Sequence, residues 1–98
     1  MSRENKDNKL NYLSYLTPQV LERYAEHMKK GEKKRGRANW KKGYPLEESL
    51  ESMMRHLLLL WEENEAGVKR SEEDHAAALM FNVINFMHQE WMDGEMDM

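Results

Sequence analysis

Residues 72–92 read EEDHAAALMFNVINFMHQEWM, and this stretch decides the fold. After its acidic start it is apolar nearly all the way round a helix, from Ala76, Ala77 and Ala78 through Leu79, Met80 and Phe81 to Phe86, Met87 and Trp91. A helix with so little polar surface has to be buried on most sides. The exceptions, His75, Asn82, Asn85 and Gln89, fall into one narrow stripe at spacings of seven, three and four. Polar groups on a buried surface need partners, from within the chain or from a ligand. A buried hydrogen-bond network, recognition of a base or ribose, and metal ligation are the uses open to that stripe. Ser71, followed three residues later by Asp74, resembles a capping box and places the start of this helix near Glu72.

Towards the N-terminus, Asn64 to Ser71 is a polar link containing Gly67, and before it a helix runs from Pro45 to about Glu63. Leu46, Leu50, Met53, Leu57 and Leu60 recur at alternating spacings of four and three, the pattern of a seam packed against other helices. Glu47 and Glu48 in the first turn suit the positive end of the helix dipole. Further back, Thr17-Pro18 offers an N-cap and then proline at the first helical position, where a missing N–H is harmless. A helix from Pro18 to about Lys30 follows, with Val20, Leu21, Tyr24 and Met28 on its apolar stripe. Leu10, Tyr12, Leu13, Tyr15 and Leu16 are too irregular for a helix and read as a strap over a neighbouring element. Residues 1–9 read as a disordered tail, 10–92 as a single helical domain and 93–98 as an acidic, frayed end.

The fold class is therefore all-α, a small three-helix domain with a basic connector. A chain of 98 residues buries only a little over ~60% of its unfolded surface. One helix pair can scarcely cover so apolar a third, so the helices are expected to complete their core in a homo-oligomer. Lys and Arg number 15 against 18 Asp and Glu, a formal charge of -3, which argues against duplex nucleic acid as a partner. The absence of cysteine excludes a disulfide framework, a thiolate zinc site and a cysteine nucleophile. Strictly apolar runs such as Leu57 to Trp61 are far short of the ~20 residues of a membrane span. The start, MSRENKDNK, lacks the apolar core of a signal peptide. The expectation is a cytoplasmic protein with no membrane partner.

Between the first two helices, residues 29–42 read KKGEKKRGRANWKK, eight basic residues against the single acid Glu32. Gly31 and Gly36 interrupt helical continuity there, which makes the stretch a glycine-hinged connector. Cations beside glycine-freed backbone amides can cradle a phosphate or pyrophosphate, and Trp40 among them can stack on a base. A solvated charged loop is the plainer use. On the second helix Glu48, Glu51, Arg55 and Glu62 share one polar face at ~100° per residue, and His56 lies away from both that face and the seam. No phosphate-binding glycine loop, dinucleotide fingerprint or serine-nucleophile setting occurs.

The run Glu47-Glu48-x-x-Glu51 resembles the first half of the metal motif of MazG-type nucleotide pyrophosphohydrolases, whose carboxylates hold magnesium against a triphosphate. More broadly, RYAEHMKKGEKKRGRANWKKGYP, ESMMRHLLLLWEEN and EEDHAAALMFNVINFM resemble the phage-type dATP/dGTP diphosphohydrolase N-terminal domain family. The matching positions are Gly31, Lys33, Lys34, Gly36, Asn39, Trp40, Gly43, Arg55, His56, Asp74, His75 and Asn82. The resemblance implies a small all-helical protein handling purine nucleotides or their relatives, in the host cytoplasm if phage-encoded.

Two functions stay open. In the first, a homo-oligomer captures a phosphorylated purine nucleotide or nucleotide-derived immune signal without hydrolysing it and without a cofactor. Lys33, Lys34, Arg37, Lys42 and Arg55 would clamp phosphates with Asn39 beside them, Trp40 would stack, and His56, His75 and Asn82 would read base or ribose edges. In the second, a magnesium-dependent diphosphohydrolase cleaves purine deoxynucleoside triphosphates, with Glu48, Glu51 and Asp74 as metal ligands and Glu47 alongside. A purely structural protein is the third use, and it would have no pocket joining Arg55 to His75.

Overall fold

The computed structural model describes residues 8–35, 45–69 and 72–96, and of residues 34, 35, 95 and 96 the backbone alone. Among them three α-helices form: α1 (Pro18–Arg35), α2 (Leu46–Ala66) and α3 (His75–Met96). The start of α1 follows from Thr17, whose Oγ1 accepts the Val20 N–H at 3.3 Å, an N-cap that leaves Pro18 at the first helical position. The helix continues past Lys30 and through Gly31 to Arg35. A mid-helix glycine costs only about 1 kcal/mol, and the Lys, Glu and Arg around it favour helix. The first part of the connector is therefore helical, with Lys33 exposed on the last turn of α1.

Gly67 stops α2 by adopting φ 74°, a left-handed conformation. The Val68 N–H then reaches the Glu63 carbonyl at 2.9 Å and the Gly67 N–H reaches that of Asn64 at 3.2 Å, the paired bonds of a Schellman end. The helix thus runs three residues beyond Glu63. The start of α3 also differs from the capping box at Ser71. Asp74 itself is the cap: its Oδ1 accepts the Ala77 N–H at 3.1 Å and its carbonyl accepts the Ala78 N–H at 3.0 Å. Ser71 lies outside the described residues. At its other end α3 passes Met92 and runs to Met96.

Helix α3 is central, with α2 antiparallel along it and α1 against it. The leucine seam of α2 does not make that contact. Leu46, Leu50 and Leu57 are exposed, and Met53 and Leu60 are half-buried. The face turned to α3, roughly a quarter turn away, carries buried Ser49 and half-buried Ser52, His56 and Glu63. Ala77 and Ala78 are the buried apolar residues among those described; their small side chains let the helices approach closely enough for short polar groups to meet. On α1, Tyr24 and Met28 are half-buried, whereas Val20 and Leu21 are exposed. The strap is a short 3-10 turn, Tyr12–Ser14, and its apolar residues stay exposed, Leu13 at 93%. Among the described residues no helix is long and apolar enough to cross a membrane.

Candidate functional site

The polar face of α2 meets the polar stripe of α3 in a series of rungs. Deepest is Asn85, fully buried, whose Nδ2 donates to the Ser49 Oγ at 2.9 Å. Its Oδ1 is buried without a hydrogen-bond partner, an arrangement that costs stability. One turn along, the Asn82 Nδ2 donates to the Ser52 Oγ at 3.2 Å and to the Ala78 carbonyl at 2.9 Å. Asn82 is thus a buried packing rung, and its amide hydrogens are engaged within the chain.

The ladder ends in a cluster of imidazoles and carboxylates. His56 on α2 and His75 at the first position of α3 face each other, Nδ1 to Nδ1 at 2.9 Å, with ring centroids 5.1 Å apart. The other nitrogen of His75, Nε2, lies 3.6 Å from the Glu63 Oε2. Glu73, in the turn before α3, places its carboxylate 4.0 Å from His56 Nε2 and 4.0 Å from His75 Nδ1. His75 is 7% exposed and the Glu63 side chain 13%, whereas that of Glu73 is 58% exposed. Burial holds His56 below the ordinary imidazole range; Glu73 opposes this, and His75, Arg55 and His27 reinforce it. One ligand atom each from His56, Glu73 and His75 fall within 4.8 Å of one another.

Asp74 stands between Glu73 and His75 and does separate work. Arg23 of α1 donates from Nε and Nη2 to its two oxygens at 2.6 and 2.7 Å, a bidentate pair that pins α1 to the start of α3.

This placement separates the residues that the sequence grouped. Glu48 and Glu51 are exposed, near the level of Ser49 and its partner Asn85. Asp74 lies eleven residues before Asn85, about 16 Å along the helix at 1.5 Å per residue. The three carboxylates therefore cannot hold one magnesium ion within a chain, and Asp74 is already engaged by Arg23 and the helix cap. Arg55 and His56 also part company. His56 turns to α3, whereas Arg55 lines an open groove of about 990 Å³ with Leu58, Leu59, Trp61, Glu62, Glu65 and Ala66. Within it the Trp61 Nε1 donates to the Glu65 Oε1 at 3.3 Å. Lys33 is exposed at the end of α1, and the side chain of Lys34 lies outside the described residues, as do Arg37, Asn39, Trp40 and Lys42.

The reading from sequence missed Glu63, Glu73 and Trp61. A signal for Glu63 was present: Ser49, Ser52, His56 and Glu63 recur at spacings of three, four and seven, a stripe that mirrors the one on α3. Glu73 carries no such signal because it precedes the helix.

The chain matches no curated protein and no solved structure. The family model described as "dATP/dGTP diphosphohydrolase, N-terminal" matches residues 2–98. That span takes in the connector, the Arg55-His56 pair and the Asp74-His75 pair together, and on it the chain belongs to the dATP/dGTP diphosphohydrolase N-terminal domain family.

Proposed function

We propose that this domain binds a phosphorylated purine nucleotide, with the purine deoxynucleoside triphosphates of the family's description as first candidates. The observation that carries the reading is the reach of the family match, residues 2–98. The Arg55 groove supports it: a guanidinium and the exposed indole of Trp61 share one depression of the size that small ligands occupy. Arg55 supplies charge for phosphate and Trp61 a stacking surface for a base, with the connector cations and Trp40 as further phosphate and base contacts.

The family's reaction is cleavage of the α–β phosphoanhydride by water, giving a monophosphate and pyrophosphate. Capture without cleavage is the second reading, favoured by the separation of Glu48 and Glu51 from Asp74. One experiment decides binding and fate together. The purified chain is incubated with dATP or dGTP, with and without magnesium, its thermal shift is recorded, and the nucleotide is then recovered and chromatographed. Stabilisation with products supports the diphosphohydrolase, stabilisation with intact nucleotide supports capture, and the absence of both overturns the proposal.

The same reading includes a homo-oligomer. Leu46, Leu50 and Leu57 of α2 are exposed in the single chain. A second copy is the occupant that fits Leu46, Leu50 and Leu57, because a seam of this kind pairs with its own equivalent across a two-fold axis. Sedimentation of the wild-type chain as a monomer at micromolar concentration would refute this.

A further inference from the structure

We infer that His56, His75 and Glu73 form a site for a divalent transition-metal ion of the zinc class, with Glu63 as the residue that positions His75. Two nitrogens bound to one such ion at about 2.0–2.1 Å lie about 2.9 to 3.3 Å apart for angles between a right angle and the tetrahedral value. The two imidazole Nδ1 atoms are already 2.9 Å apart, so their separation suits a shared ion, and each ring has to tilt to turn its lone pair towards it. The Glu73 carboxylate, 4.0 Å from His75 Nδ1 and 4.0 Å from the far nitrogen of His56, Nε2, has to swing inwards. Its side chain is exposed and belongs to the turn before α3.

Glu63 supplies the orientation. Metal-bound histidines commonly donate their second N–H to a carboxylate, which fixes the ring and directs the lone pair of the other nitrogen at the ion. In His75 the Nε2 faces the Glu63 carboxylate at 3.6 Å, a short movement from such a bond, and Nδ1 faces His56. Two imidazoles and one carboxylate suit zinc, cobalt or nickel better than magnesium, which favours oxygen ligands. Three protein ligands leave a position open for water or a phosphate oxygen. The alternative account of the geometry is a proton shared between the rings with no ion. The inference does not rest on the nucleotide reading, because the ion can be titrated alone.

The test is calorimetric titration of the tag-free, chelator-treated full-length chain with zinc, repeated with cobalt(II) while its visible absorption is recorded. The expected result is one ion per chain and a cobalt spectrum with nitrogen ligation. His56→Gln should abolish binding and Glu73→Gln should weaken it about tenfold or more. Glu63→Gln should weaken it about 10- to 100-fold with the cobalt bands retained. Glu73 is exposed, so Glu73→Gln keeps the test decisive if His56→Gln fails to fold. No stoichiometric binding, or equal affinity in wild type and Glu73→Gln, overturns the site in favour of the shared proton.

Discussion

The two sides of α2 invert the usual division of labour in a small helical protein. The side packed within the chain is polar, with Ser49, Ser52, His56 and Glu63 set against Asn85, Asn82 and His75. The side left exposed carries Leu46, Leu50 and Leu57. Hydrogen bonds are directional and add only about 1 kcal/mol each, so the polar side fixes register more than it stabilises. Apolar burial is stronger and non-directional, and in the single chain these leucines are left without it; the proposed homo-oligomer would supply it.

The largest expected effect comes from breaking the apolar side. Leu50→Glu combined with Leu57→Glu should abolish the oligomer at micromolar concentration in sedimentation. A buried leucine contributes ~1.5–3 kcal/mol, so losing two on each of two copies removes about 6 kcal/mol or more of association free energy. An unchanged sedimentation coefficient would show that the seam is not the contact.

Next in size is the end of the polar side. Asp74→Ala removes both the helix cap and the acceptor for Arg23 and should cost about 2–3 kcal/mol in chemical denaturation. Asp74→Asn retains a capping oxygen and should cost about 1 kcal/mol, discounted because Arg23 is partly exposed. Equal losses in the two variants would mean that the ion pair dominates and the cap is idle.

The buried rung at Asn85 offers a finer test. Ser49→Ala should cost about 1 kcal/mol, whereas the double variant Ser49→Ala with Asn85→Leu should recover most of that loss, since it also removes the orphaned Oδ1. Additive losses in a double-mutant cycle would deny the rung any coupling.

The smallest effect is the response to acid. Burial lowers the folded His56 pKa beneath the ordinary 6.5, so the unfolded chain binds more protons as pH falls. The resulting sign is a stability that is full above about pH 6.5 and declines as pH drops through and below that value. The facing groups are Glu73 and His75 from the α3 side, Arg55 on α2 and His27 on α1. His56→Gln should flatten the dependence of the melting temperature between pH 7 and 5; an unaltered slope would place the titration elsewhere.

Much of the fold was legible in the sequence, because helix ends are written in local chemistry. Thr17-Pro18, the acidic turn at Glu47 and Glu48, and Gly67 each act within one turn of themselves. Asp74 was misassigned to the interior of a capping box because Ser71 is an equally good cap by residue type. The apolar seam was recognised, but periodicity reports that a face is to be buried and not what buries it. The polar stripe of α3 pointed to hidden partners, and Ser49 and Ser52 proved to be two of them. The imidazole cluster depends on which face of α2 meets α3, a choice made by matching across two helices and invisible in either alone. Glu73 enters only because the chain turns just before His75.

Asp74 has one more consequence. It grips the first turn of α3 from within and the side of α1 from without, and its chain neighbours on either side are Glu73 and His75. The N-terminal helix contributes no ring to the pair, yet through Arg23 and Asp74 it is anchored one residue away from His75.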